Sequence, residues 1–180
     1  MKHLFLGGAR SGKSRLAEQA AMATGLAVSY IATSQAHDDE MRARIAHHAE
    51  RRPAEWALVE EPIRLADTLR EQAAADRCLL VDCLTLWLSN LLCTDDEALF
   101  AREREALLDC LSELPGEVIF VSNEVGQGIV PMNALSRRFV DESGWLHQAL
   151  AERCERVNFV VAGLPQLLKN SGPPELENSE

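Results

Sequence analysis

The segment that most restricts this chain is Gly7-Gly8-Ala9-Arg10-Ser11-Gly12-Lys13-Ser14, set between the apolar run Leu4-Phe5-Leu6 and a stretch rich in Ala, Leu, Glu and Gln. Its spacing fits G-x-x-x-x-G-K-S/T at every fixed position. The apolar run predicts a strand, and the stretch from Lys13 to Gly25 predicts a helix, so the glycines fall in a strand-to-helix turn. Glycines there let backbone N–H groups turn inward, and the helix amino terminus adds its positive end, which together cradle an anion. Lys13 is placed to reach the β and γ phosphates of a nucleoside triphosphate, and the Ser14 hydroxyl to ligate Mg²⁺.

The rest of the chain predicts the fold that carries such a loop. Ala27 to Thr33 is β-branched and apolar, a buried strand. Asp38 to Arg52 predicts a charged helix stopped before Pro53, with Asp38, Asp39 and Glu40 at one end and Arg44, Arg51 and Arg52 toward the other, as the helix dipole prefers. Trp56 to Val59 is a brief apolar segment, Ile63 to Ala75 a helix, and Cys78 to Asp82 a strand that ends in an acid. Glu97 to Leu114 then predicts a helix, Glu117 to Ser122 a strand, Leu135 to Cys154 a helix and Val157 to Ala162 a final strand. Apolar strands alternating with helices predict an α/β domain with a mostly parallel sheet covered on both faces, spanning residues 1 to 169. Asp82 is then the natural acidic partner of the loop, acting on Mg²⁺ directly or through water.

Composition excludes other classes. The apolar fraction of 47% and charged fraction of 26% are ordinary for a globular domain. A net charge of -10 repels a polyanion, so nucleic acid is not an expected partner. No run of about 18 apolar residues exists to span a bilayer, the first residues make too short an apolar stretch for a signal peptide, and the cytoplasm is the expected location. The five cysteines contain no C-x-x-C pair and mostly lie among apolar neighbours, which suits reduced core thiols. Residues 170 to 180, with Pro173-Pro174 and three glutamates, predict a solvated, flexible acidic tail.

Two further segments bear on what is transferred. On the predicted helix, Arg44 and Arg51 share a face with His47, so a phosphate can be held beside an imidazole. Residue spacing leaves that His47-His48 pair between a nucleophile that attacks an α-phosphorus and a solvated charged face. Asn123-Glu124-Val125-Gly126 follows a strand at its carboxyl end, where open α/β sheets bind ligands. It reads equally as pocket lining and as a loop that needs Gly126 and Gly128 for its dihedrals.

Taken together, Gly7 to Arg15, Tyr30-Ile-Ala-Thr-Ser-Gln35, Asp38-Asp-Glu-Met41, Arg44-Ile-Ala-His-His48, Arg52-Pro53 and Ser122-Asn-Glu-Val-Gly-Gln-Gly-Ile-Val-Pro131 resemble the bifunctional adenosylcobinamide kinase and adenosylcobinamide-phosphate guanylyltransferase family of cobalamin biosynthesis. The resemblance runs from the first strand to about Gly163. It implies phosphorylation of the adenosylcobinamide hydroxyl by ATP or GTP, then transfer of GMP to that phosphate with release of pyrophosphate. It further implies that His47 carries the covalent GMP and that Gly7, Gly8, Ala9, Arg10, Ser11, Gly12, Lys13 and Ser14 hold the triphosphate. Ala32, Thr33, Ser34 and the stretch His48, Ala49, Glu50 and Arg51 would contact GTP or its guanylyl product, and Glu60 or Glu61 with Asp82 would complete the nucleotide site. The family fold is a RecA-like P-loop NTPase sheet carrying one antiparallel strand, assembled as a propeller-like homotrimer with active sites near subunit boundaries. The stretch from Leu92 to Ala98 follows no pattern of the family.

Overall fold

Every residue of β1 (Lys2–Gly7) is buried. A strand is buried throughout when it lies inside a parallel sheet covered on both faces. The computed structural model describes residues 1–34 and 53–171. After β1 come α1 (Lys13–Ala23), β2 (Ala27–Ala32), β3 (Ala57–Glu60), α2 (Leu65–Gln72), β4 (Arg77–Asp82), α3 (Leu84–Leu92) and α4 (Glu97–Cys110). The chain continues through β5 (Glu117–Asn123), α5 (Ala134–Arg153), β6 (Arg156–Val161) and β7 (Leu164–Asn170). The strands form one seven-stranded sheet in the order β3-β2-β4-β5-β1-β6-β7. All neighbouring pairs are parallel except β6 with β7.

The apolar runs conceal a period of two, because successive side chains leave opposite faces of a strand. Leu4, Leu6, Leu79, Val81 and Phe120 face a core shared with Leu65, Trp87, Leu107 and Leu150 of α2, α3, α4 and α5. Phe5, Leu80, Ile119 and Val121 face the other way, against Ala17 and Ala21 of α1. Small alanines there let α1 lie close to the sheet, which keeps its amino terminus at the carboxyl end of β1.

Four elements depart from the sequence reading. Leu84–Leu92 is a helix that the reading leaves without an element, although its buried Leu84, Trp87, Leu88, Leu91 and Leu92 recur at helical spacing; it is short, mostly apolar and follows a strand after one residue. Helices α2 and α4 are shorter than expected. Asn170, read as the first residue of the tail, is the last residue of β7, paired with Arg156 across an antiparallel ladder. β7 contains Pro165, which an edge strand tolerates because one side of it makes no ladder bonds.

The predicted helix from Asp38 to Arg52 lies outside the described residues. All five cysteines are free, and all but Cys93 are buried. Burial pushes the Cys78 and Cys154 thiols up to about 12 and those of Cys83 and Cys110 up to about 11. Among the described residues no helix is long and apolar enough to cross a membrane.

Candidate nucleotide site

The loop between β1 and α1 is shaped by what surrounds it. Gly7 lies opposite Asn123 of β5 and Val160 of β6. A Cβ on Gly7 would sit 2.5 Å from the Val160 carbonyl oxygen and 2.6 Å from Ser11 Oγ, so close packing demands glycine here. Gly12 caps α1 with φ 95°, a left-handed conformation that disfavours a side chain. The Ser11 N–H donates to Gly8 O at 3.2 Å, the Gly163 N–H donates to Ser11 O at 2.7 Å, and the Glu124 N–H donates to Gly7 O at 3.0 Å. The loop is thus braced from within, by the β6–β7 turn, and by the residue that follows β5.

Lys13 is buried, and its ammonium donates to Gly8 O at 3.1 Å, across the hollow of the loop. Burial lowers its pKa, against the opposing pull of Cys83 and Asp82. The ammonium is thus close enough to the acid that closes β4 to be influenced by its charge. Ser11 Oγ is buried with no hydrogen-bond partner among the described residues. An unused buried hydroxyl at the start of a helix, in a loop that also carries a lysine ammonium, is a donor set suited to phosphate oxygens.

Asp82 sits between Ala32 of β2 and Val121 of β5, and Glu60 pairs with Ala32 from the far side, so these candidates share one sheet edge. The Asp82–Cys83 peptide bond is cis. Thr33 is fully buried; its hydroxyl donates to Cys83 O at 2.7 Å and accepts from the Cys83 N–H at 3.0 Å. Ser34 is the last described residue before the gap. Glu61 accepts from the N–H groups of Ile63 and Arg64, both at 2.7 Å, so its carboxylate fastens the turn into α2. Glu60 ends β3 with its side chain exposed, which makes it the better placed of the two acids for a ligand.

His47, His48, Ala49, Glu50 and Arg51 lie outside the described residues. Ser14, in the first turn of α1, and Asp82 supply only oxygen donors, and no cluster of three or more His, Cys, Asp or Glu fit to hold a metal occurs among the described residues. That set fits Mg²⁺, which takes one or two protein oxygens and completes its shell with phosphate and water.

Two groups went unnoticed in the sequence. Thr85 and Asn90, both on α3, bond into the site: Asn123 Nδ2 donates to Thr85 Oγ1 at 2.7 Å, and Asn90 Nδ2 to Thr33 O at 2.8 Å. No signal pointed to them because α3 itself was not foreseen. Below the edge, Ser122 Oγ and His147 Nε2 are 2.7 Å apart, both buried. Burial lowers the His147 pKa, with Glu124 opposing. A polar residue on the core face of a predicted helix was the available signal.

A phosphate loop opening α1, an acid closing the neighbouring strand but one, and a parallel sheet ending in an antiparallel edge define a RecA-like P-loop NTPase. The solved structures bear this out at the level of fold. The RadB recombinase superposes with a TM-score of 0.52 at 17% identity, covering 88% of this chain and 73% of its own. A Pyrococcus horikoshii protein does so with a TM-score of 0.52 at 10% identity, covering 95% and 87%. The family model described as cobinamide kinase / cobinamide phosphate guanyltransferase matches residues 3–168. The bifunctional adenosylcobalamin biosynthesis protein CobP of Pseudomonas aeruginosa is 68% identical over 169 residues, covering 94% of this chain and 98% of that protein. CobU of Salmonella typhimurium, also named a bifunctional adenosylcobalamin biosynthesis protein, is 41% identical over 94% of this chain and 100% of its own. The chain belongs to the cobinamide kinase / cobinamide phosphate guanyltransferase family and is a nucleotide-using transferase.

Proposed function

We propose that this enzyme phosphorylates adenosylcobinamide with ATP or GTP and then transfers GMP from GTP to the phosphate so formed, through a guanylyl group carried on His47. The observation that carries the reading is the braced loop from Gly7 to Ser14 facing Asp82, in a chain of this family. In the first reaction the substrate hydroxyl attacks the γ-phosphorus, the bond to the β-phosphate oxygen breaks, and a nucleoside diphosphate leaves. In the second a neutral His47 nitrogen attacks the α-phosphorus of GTP, forming a P–N bond as pyrophosphate departs. An oxygen of adenosylcobinamide phosphate then attacks that phosphorus and breaks the P–N bond, giving adenosylcobinamide-GDP and freeing His47.

Gly7 to Ser14 hold the triphosphate, with Lys13 moving from Gly8 O onto the β and γ oxygens. Ala32 and Ser34, His48 to Arg51, Glu60 and Asp82 border the nucleotide. Ser14 and Asp82 hold Mg²⁺, which when bound offsets the phosphate charge.

Residues 1 to 169 act as one domain, and the assembly is a homotrimer. Ile129 and Met132 are each 97% exposed, and Leu164, Leu167 and Leu168 are exposed on β7. Apolar side chains in such positions suit burial against further copies of the chain. Free thiols suit the cytoplasm.

The decisive test is incubation with GTP labelled with ³²P at the α-phosphate. Acid-labile, base-stable label on the protein, lost in His47→Ala, is the expected result. Absence of label, with γ-phosphate alone reaching cobinamide, would reduce the enzyme to a kinase.

A further inference from the structure

Thr33 falls within the stretch that the family resemblance assigns to nucleotide contact, yet its side chain is buried and its hydroxyl is bonded to the backbone of Cys83. It is 0% exposed. A threonine hydroxyl has one proton to give and two lone pairs. Here the proton goes to Cys83 O and a lone pair takes the Cys83 N–H, at 2.7 and 3.0 Å. One hydroxyl, on the residue that follows β2, therefore holds both backbone groups of the residue that follows Asp82.

The hold is extended on both sides. Asn90 Nδ2 donates to Thr33 O at 2.8 Å and to Pro62 O at 3.1 Å, tying α3 to β2 and to the connection from β3 into α2. On the other flank Cys83 Sγ lies 3.2 Å from Thr85 Oγ1, which in turn accepts from Asn123 Nδ2 at 2.7 Å. Asn123 pairs with Gly7, and the Glu124 N–H bonds Gly7 O. An unbroken sequence of contacts thus crosses the sheet edge from Asn90 through Thr33, Cys83, Thr85 and Asn123 to the first residue of the phosphate loop. Asp82 is the charged residue in its middle.

We infer that Thr33, with Thr85 on the opposite flank, is a positioning residue: by clamping Cys83 it fixes the Asp82 carboxylate relative to Lys13 and Ser14, and so sets the affinity of the divalent cation that accompanies the nucleotide. The inference rests on the proposed role of Asp82. It separates Thr33 from a nucleotide ligand by what its loss should change. A direct contact supports nucleotide binding with or without metal, whereas a positioning residue acts through the cation. Groups that orient a metal ligand without touching the metal commonly carry about 10- to 100-fold in metal affinity or activity.

The experiment replaces Mg²⁺ by Mn²⁺ and reads its dissociation constant by electron paramagnetic resonance in the presence of GTP, alongside GTP binding in EDTA. Thr33→Val keeps the shape and removes the hydroxyl. Expected are a rise in the Mn²⁺ constant of about tenfold or more, metal-free GTP binding within twofold of the parent, and recovery of metal affinity in Thr33→Ser. Should Thr33→Val fail to fold, Thr85→Val tests the other flank and is expected to weaken Mn²⁺ in the same direction. Unchanged Mn²⁺ affinity in these variants, or a loss of GTP binding in EDTA, would overturn the inference. If Asp82→Asn also leaves Mn²⁺ binding untouched in otherwise active enzyme, the fault lies with the role given to Asp82 and the positioning claim falls with it.

Discussion

Gly7→Ala separates the two reasons a phosphate loop contains glycine. At Gly7 the new methyl would stand 2.5 Å from Val160 O and 2.6 Å from Ser11 Oγ. Ser11 can turn aside, but Val160 is buried in β6 and fixed by its ladder to β1. An ordinary contact therefore requires the two strands to move by most of an ångström. Overpacking of that kind costs about 1–3 kcal/mol, partly offset by about 0.4–1 kcal/mol from the stiffer unfolded chain. At about 2–4 °C per kcal/mol for a domain of this size, Tm falls by several degrees. Gly8→Ala is the control. Nothing lies within 4 Å of a Cβ there, so stability is expected to stay within about 0.5 kcal/mol of the parent. Differential scanning calorimetry gives both values, and a fluorescent GTP analogue reports whether each loop still binds. A Tm for Gly7→Ala within a degree of the parent, or equal losses in both variants, would refute the packing argument.

Two other outcomes can be checked in solution. The lowered pKa of buried His147 means that the unfolded chain binds a proton below about pH 6.5 which the folded chain resists. Stability should therefore be fully present above that pH and decline as pH falls below it, with a shallower decline in His147→Asn; identical urea midpoints of the two proteins relative to their pH 7 values would exclude the contribution. Light scattering should give three chains per particle, and Ile129→Asp with Met132→Asp should reduce that number; a parent that is monomeric at micromolar concentration removes the trimer.

The phosphate loop was legible because its chemistry is local: glycines, lysine and serine must stand at fixed spacing whatever the rest of the chain does. The strands were legible because both faces are covered, which turns each into an apolar run. Asp82 was found for the same reason, as the polar residue that stops one of those runs. Thr33 shows where that reasoning stops. It ends the strand read from Ala27 to Thr33 and the resemblance gives it to nucleotide contact, and only the approach of Cys83, 50 residues along the chain, reveals that its hydroxyl is already committed. Glu60 and Glu61 could not be told apart for a similar cause, since the amides that occupy Glu61 belong to a turn. Helix α3 escaped because it is short and mostly apolar and begins one residue after a strand, so its helical spacing of Leu84, Trp87, Leu88 and Leu91 was not separated from the apolar run before it. β7 escaped because an exposed edge strand with a proline lacks the apolar continuity of the interior strands.

The turn between β6 and β7 rests its Gly163 N–H on Ser11 O, while β1 finds its two neighbours in strands made from residues 117 to 161. The loop that reads as complete within fourteen residues of the amino terminus is thus finished by the other end of the chain. During synthesis it emerges before β5, β6 and that turn, and waits through more than a hundred residues for them. A chain cut before Gly163 keeps the whole motif and lacks this brace, so its loop is expected to hold a triphosphate less well than that of the full chain.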